Sequence, residues 1–270
     1  MSTPTILRGA APLIVSIPHA GIEIPPEVEP RLVSLWHARK DADWWVDRLY
    51  GFATDLGATV IRTAVSRTVI DVNRDPSGKS LYPGQATTEL CPTTTFDGEP
   101  LYKDSQSPDA AEIAVRIAAH YRPYHDAIAA EIARLKADHG HVILYDAHSI
   151  RSRVPRLFEG ELPHLNFGTN GGTSCSPQLV DSLEAIAEES SFTQVINGRF
   201  KGGYITRHYG RPEEGVHAVQ LELAMRSYMD EPERLSSENW PTPFDGVRAA
   251  GLQGLLARLL QACIDFRDPS

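Results

Sequence analysis

The stretch His141–Ser149, HVILYDAHS, decides how the chain is read. Val142, Ile143, Leu144 and Tyr145 are strand formers in unbroken succession, the composition of a strand buried on both faces of a parallel or mixed sheet. The run then breaks into Asp146, Ala147 and His148, and ligands of open α/β sheets bind beyond the carboxyl ends of such strands. A second stretch repeats the pattern near the start of the chain, where Pro12–Ile17, PLIVSI, leads into Pro18, His19, Ala20 and Gly21. One histidine after a strand is more often a hydrogen-bonded rim residue than a ligand. Two of them at equivalent strand ends, with carboxylates nearby, point to a metal site on a common rim.

The remaining composition narrows the classes of function. At 270 residues, 41% hydrophobic and 23% charged, the chain suits one α/β domain with a full core. Its net charge of -9 argues against a nucleic-acid or anionic-membrane surface, so an anionic small molecule would have to be met by a local cluster of arginines. Cys91, Cys175 and Cys263 are odd in number and widely spaced, which indicates neither a disulfide framework nor a zinc ribbon, and suits a cytoplasmic protein. No secretory leader is expected in the first residues, and no run has the length of a membrane span. Oligomeric state is left open by the sequence.

Working outward, Pro25, Pro26 and Pro30 predict a rigid loop after His19. Asp41–Leu56, DADWWVDRLYGFATDL, has Trp45, Leu49, Phe52 and Leu56 at helical spacing and predicts an amphipathic helix with Asp43 and Asp47 on one face. Either aspartate suits a solvated first turn of a helix, but a third metal ligand is still needed and Asp43 is a candidate. Ala58–Arg62 predicts a strand. A short strand from Thr68 to Val72 is also expected, its ends crowded by Arg67, Asp71, Asn73 and Arg74, whose guanidinium forks suit carboxylates and oxyanions as well as surface salt bridges. The turn chemistry of Ser77–Gly84 predicts a loop that folds over a pocket, and Gly78-Lys79-Ser80 lacks the spacing of a phosphate loop.

Asp109–Asp138 is the longest helical pattern, kinked or restarted at Pro123, with His120, His125 and His139 expected on its surface. Ser176 caps a helix over Pro177–Glu189, and Val247–Phe266 is a structural helix. No serine sits in a GxSxG elbow and Cys175 has no partner base, which disfavours a covalent mechanism. Gly198–Pro212, GRFKGGYITRHYGRP, reads as a mobile cationic and aromatic lid, with Tyr204 and Arg207 prominent. His217–Leu223, HAVQLEL, alternates as a strand with Glu222 inside it; a carboxylate there is costly unless it has a task, and Glu222 is the candidate general base.

Together, His19, one acidic residue and His148 make a three-ligand set with a position left for water, Glu222 a base for that water, Arg67 a donor to a developing oxyanion, and Asn73, Arg74 and Arg207 a grip for carboxylates. Metal-dependent hydrolysis of an amide on a small anionic substrate is the consistent chemistry.

At these residues the sequence resembles the N-formylglutamate amidohydrolase family. SIPHAG, DADWWVDRLY, SRTVIDVNRDPSGKSLYPGQ, LYDAHS, FGTNGGTSCS and GGYITRHYGRPEEGVHAVQLELAM match in the family's order from about Leu13 to Tyr228, and Leu81–Tyr102 is similar to the deformylases proper. The resemblance implies hydrolysis of N-formyl-L-glutamate to formate and L-glutamate in histidine degradation. The fold it implies is a single α/β domain over residues 1–270, a mixed, mostly parallel sheet flanked by helices, similar to zinc carboxypeptidases and to phosphorylase/hydrolase-like folds. It implies metal ligation by His19 and His148, substrate carboxylate binding by Asn73 and Arg74, and catalysis by Glu222; the residue chemistry adds Arg67 to catalysis and Arg207 and Tyr204 to substrate binding. Ile22 stands where the carboxypeptidase pattern His-x-x-Glu has its glutamate, so the acidic ligand is assigned to Asp43, with Glu23 and Asp47 as alternatives. The metal implied is zinc, with iron, nickel, cobalt and manganese also suited to two histidines and a carboxylate. An amidohydrolase of another N-acyl acidic amino acid, or a non-catalytic module for a metal or an acidic ligand, would use many of the same residues; only an enzyme needs Glu222.

Overall fold

The computed structural model describes residues 3–267, so both ends of the expected 1–270 domain lie outside the described residues. The elements run β1 (Thr5–Leu7), β2 (Leu13–Ile17), α1 (Leu35–Arg39), α2 (Val46–Leu49), β3 (Thr59–Arg62), α3 (Ala110–Arg116), α4 (Arg122–His139), β4 (Val142–Ile150), β5 (Leu165–Gly168), α5 (Pro177–Glu188), β6 (Gln194–Ile196), α6 (Tyr204–Tyr209), β7 (Val216–Ala224) and α7 (Gly246–Asp265). The strands form one seven-stranded sheet in the order β1-β3-β2-β4-β7-β5-β6. Its centre, β3-β2-β4-β7, is parallel, whereas β1 and β5 pair antiparallel with β3 and β7. This is the mixed α/β sheet that the sequence predicts.

Burial on both faces of β2, β4 and β7 follows from their composition: every residue of each is buried. Leu13, Val15, Tyr145, Val219 and Leu221 face α2, α5 and α7, while Ile14, Leu144 and Ala218 face α4 and α6. No helix among the described residues is long and apolar enough to cross a membrane. All three cysteines are buried and unpaired.

Three expected elements fold differently. The helix over Asp41–Leu56 shrinks to α2 and a 3-10 turn at Gly51–Thr54, because Asp43 N–H is spent on His19 O (3.0 Å) and Trp45 enters α2 at φ +65°. Thr68–Val72 is a chain of tight turns. In a strand, Arg67 and Asp71 would lie about 13 Å apart; the turns bring Arg67 Nη2 to 2.8 Å from Asp71 Oδ2. The long helix is continuous but carries a π turn at Ile117–Tyr121, where Arg122 N–H bonds to Ile117 O and Pro123, without a donor of its own, stands in the first turn of α4.

His125 is not on the helix surface. Its ring stacks on Tyr121 (4.2 Å) and Tyr209 (5.8 Å), and its Nε2 donates to Val72 O at 2.8 Å. Burial pushes its pKa down to about 4, against a partial upward pull from the Val72 carbonyl. The unfolded chain therefore takes up this proton first on acidification. Unfolding free energy should fall between pH 6.5 and 4, by about 1.4 kcal/mol per unit from this group. Urea unfolding at pH 7 and pH 5 checks it: His125→Gln should lose about 2 kcal/mol less than the unaltered protein over that interval. An unchanged difference would assign the acid sensitivity to other groups.

Candidate metal and active site

The face of the sheet turned towards α4 and α6 changes character along three neighbouring strands. Apolar Ile14, Leu144 and Ala218 are followed, two residues on, by Ser16, Asp146 and Gln220, which stand side by side in the ladder. One step further, His148 and Glu222 are ladder partners. Residues two apart in a strand share a face, so the apolar layer gives way to a polar floor at the carboxyl ends of the strands. Because β4 extends to Ile150, His148 is held within the sheet.

His19, two residues beyond β2, and Asp43, on the turn before α2, complete the group. His19, Asp43 and His148 are 2%, 1% and 2% exposed, and one donor atom from each lies within 4.8 Å of the others. Asp43 Oδ2 is 3.1 Å from His148 Nδ1 and 3.7 Å from His19 Nδ1. The outer nitrogens are taken: His19 Nε2 lies 2.7 Å from Asp71 Oδ1, and His148 Nε2 lies 2.9 Å from Asp146 Oδ2. The carboxylate behind His19 favours a proton on Nε2 and so turns the Nδ1 lone pair inward, whereas His148 has a carboxylate within hydrogen-bond reach of each nitrogen, Asp146 behind it and Asp43 in front. His19 Nδ1 is buried without a hydrogen-bond partner among the described residues. A buried lone pair of this kind, beside a carboxylate oxygen and a second imidazole, fits a divalent cation.

Around this trio the charges are interlocked. Arg67 donates to Asp43 Oδ1 (3.2 Å) and Asp71 Oδ2 (2.8 Å) over the ring of Phe96, and its Nε has no hydrogen-bond partner among the described residues. Burial alone would raise the Asp71 carboxyl, but Arg74, His19 and Arg67 hold it well below the usual range. Asp43 is likewise held low by the histidines against its burial. Glu222 is different: burial dominates and pushes its pKa up to about 7, with His148 pulling down and Asp43 pushing up. Its hydrogen bond comes from the Gln220 amide at 3.2 Å, and it makes no ion pair among the described residues.

The trio opens into a cavity of about 60 Å³ that is lined by His19, His148, Arg67, Arg74 and Glu222. On this measure a single water occupies roughly 10–15 Å³, so there is room for a small acyl group beside the trio. Arg74 is fixed at its wall by Thr88 O (3.1 Å) and Thr88 Oγ1 (3.0 Å).

The structure redistributes several expected roles. Asn73 lines the cavity, yet its side chain is spent: Nδ2 donates to Asp146 Oδ2 (3.0 Å) and lies 2.9 Å from His148 Nε2, while Oδ1 accepts from Ile205 N–H (2.7 Å). A Cβ on Gly203 would meet that amide at 2.4 Å, so the glycine is what admits it. Tyr204 and Arg207 are not on the cavity wall. Tyr204 packs among Tyr121, His125 and His208, and Arg207 donates to Gly202 O and Leu81 O with its fork over Tyr82. The expected lid is instead the short helix α6, turned onto α4. Glu23 is exposed and Asp47 pairs with Arg62 at 3.1 Å, so neither alternative acid reaches the histidines.

Residues that the sequence did not single out as functional complete the site: Asp146 behind His148, and Tyr82 and Arg199 on the cavity wall. Asp146 had a readable signal, since it shares a face with His148 two positions on. Tyr82 and Arg199 had none, because which arginine of a cationic loop points inward depends on the packing of distant segments.

A family model described as N-formylglutamate amidohydrolase matches residues 11–229. The chain is 52% identical over 225 residues to an N-formylglutamate deformylase of Pseudomonas aeruginosa, covering 83% of this chain and 84% of that one. It is 46% identical over 252 residues to an N-formylglutamate deformylase of Pseudomonas putida, with 93% and 94% coverage. Among solved structures, the N-formylglutamate amidohydrolase of Ralstonia eutropha JMP134 superposes with a TM-score of 0.78 at 25% identity, over 97% of this chain and 98% of that one. A gene product of Agrobacterium tumefaciens shares the fold, with a TM-score of 0.70 at 20% identity over 97% and 93% of the two chains.

Proposed function

The chain belongs to the N-formylglutamate amidohydrolase family, and from that premise we propose that it hydrolyses N-formyl-L-glutamate to formate and L-glutamate, as a step in histidine degradation, with a divalent metal, zinc in the first instance, held by His19, Asp43 and His148. The bond cleaved is a linear amide C–N bond. When bound, the cation supplies Lewis acidity, polarising the formyl carbonyl and bringing the pKa of a water towards neutrality.

The chain's own groups do the rest. Glu222, ionised, takes a proton from the attacking water and delivers it to the departing amide nitrogen, so that the C–N bond breaks to a neutral amine. A carboxyl pushed up to about 7 by burial is matched to both halves of that transfer. Arg67 keeps Asp43 and Asp71 in place and presents positive charge beside the reacting carbonyl. Arg74 pairs with the substrate carboxylate next to the scissile amide. Asp71 and Asp146 orient the imidazoles, and Asn73 braces Asp146 and the start of α6.

The observation that carries this reading is the ladder pairing of Glu222 with His148, which sets a buried carboxylate without a cationic partner beside a two-histidine, one-aspartate group. The test is formate release by zinc-loaded protein from N-formyl-L-glutamate, with hydrolysis of the N-acetyl and N-succinyl analogues measured alongside. Turnover of the formyl compound should exceed the others by at least about 100-fold, since larger acyl groups overfill the space beside the histidines. Preferred hydrolysis of the succinyl compound would overturn the assignment of substrate while leaving the chemistry intact.

A further inference from the structure

On the reading just proposed, the substrate carries two carboxylates, one two bonds from the scissile nitrogen and one at the end of the side chain. Three arginines reach the cavity, and their surroundings differ. Arg67 is held by ion pairs with Asp43 and Asp71. Arg74 stands 3.7 Å from Asp71 Oδ2. Arg199 makes no ion pair among the described residues. Its Nε donates to Leu157 O (2.8 Å) and its Nη2 to Ala86 O (3.1 Å), and the guanidinium lies over the rings of Tyr82 (5.3 Å) and Phe200 (5.4 Å). Carbonyl dipoles and ring faces orient a guanidinium without neutralising it. The result is a half-buried, oriented cation on the wall of a cavity shared with Arg74. Burial and the charge of Arg74 lower the pKa of Arg199, against upward pulls from Tyr82 and Glu222.

We propose that Arg199 binds the side-chain carboxylate of the substrate and is the residue that restricts the enzyme to acidic N-formyl amino acids. The inference rests on the function proposed above. The two carboxylates are assigned by anchorage. Arg74 Nη1 donates to the carbonyl of Asn73, whose side chain touches His148, so Arg74 belongs to the reacting end. Arg199 is anchored to Leu157 O and to Ala86 O, two residues from the Thr88 that holds Arg74, so the two guanidinium groups stand side by side on one wall; with Arg74 committed to the first carboxylate, Arg199 is left for the second. A side-chain amide has the same shape as the carboxylate but leaves the guanidinium uncompensated, which is how a site built for charge rejects a neutral isostere.

The experiment compares kcat/KM for N-formyl-L-glutamate and N-formyl-L-glutamine in the zinc-loaded protein, in Arg199→Met and in Arg199→Lys. The unaltered enzyme should prefer the glutamate compound strongly. In Arg199→Met that preference should fall by about 10- to 100-fold, chiefly through KM for the glutamate compound, while the already low value for the glutamine compound changes little; Arg199→Lys should fall between. Turnover of the glutamine compound in the same preparation shows that the variant is folded. An equal loss on both substrates in Arg199→Met and in Arg199→Lys would overturn the proposal and make Arg199 a support for the Tyr82 loop. So would an unchanged preference. Absence of formate release by the unaltered enzyme would instead sink the function on which the proposal rests.

Discussion

Glu222→Gln is expected to lower kcat on N-formyl-L-glutamate by about 10²–10⁴-fold, the range for loss of a positioned general base, while KM stays within a few-fold and bound metal is retained. Glutamine keeps the shape of the side chain and can still take part in a hydrogen bond with Gln220, so the ladder between β4 and β7 is undisturbed. What disappears is the capacity to accept a proton. The substitution also removes a buried carboxylate that burial holds in its neutral form over part of the working range. Thermal stability should therefore be unchanged or slightly raised, which separates a chemical loss from a structural one. Steady-state kinetics, metal content and a melting curve on one preparation decide the matter. Activity within tenfold of the unaltered protein would remove Glu222 from the mechanism.

His19→Ala should be as severe by a different route. His19 contributes the inward lone pair that no other group satisfies, and loss of its imidazole would leave only Asp43 and His148 to hold a cation. Protein purified in zinc should then carry well under one equivalent of metal, with formate release below detection. The fold should survive, because Asp71, the partner of the lost imidazole, keeps Arg67 and Arg74 as counter-charges. Chelation of the unaltered protein should reproduce the loss, and added zinc should reverse it. Asp71→Asn, which keeps all three ligands but weakens the acceptor behind His19, should cost a smaller 10–100-fold in metal affinity. Full metal occupancy in His19→Ala would move the metal site elsewhere.

Much of this arrangement could be read from the chain. Unbroken apolar runs ending in His19 and His148 forecast the central strands, and the alternation of HAVQLEL placed Glu222 opposite an apolar face. What could not be read shares one cause: local pattern was overruled by a distant partner. The spacing of Trp45, Leu49, Phe52 and Leu56 is helical, but a hydrogen bond from Asp43 N–H to His19 O, 24 positions away, draws the first turn out of the helix. Thr68–Val72 is rich in β-branched residues, yet the attraction of Arg67 for Asp71 requires turns. In the glycine-rich segment around residue 200, Arg207 looked as well placed for substrate as any neighbour. Contacts with Leu81 and Tyr82, more than a hundred positions away, turn it to fastening a loop and leave Arg199 on the wall.

The alternation of apolar and polar residues along β2, β4 and β7 also bears on how the protein comes apart. Ile14, Leu144 and Ala218 belong to the same strands, and to the same face, as Ser16, His148 and Glu222. Of the candidate site, His148 and Glu222 are thus the last rows of the central sheet, whereas His19, Asp43, Arg67 and Arg74 stand on turns beside it. Local opening that spared the core would spare these strands too, so His148 and Glu222 fall into the most protected cooperative unit and should hold their places until the whole molecule unfolds, while the turns that carry His19 and Asp43 can open earlier and release a bound cation first.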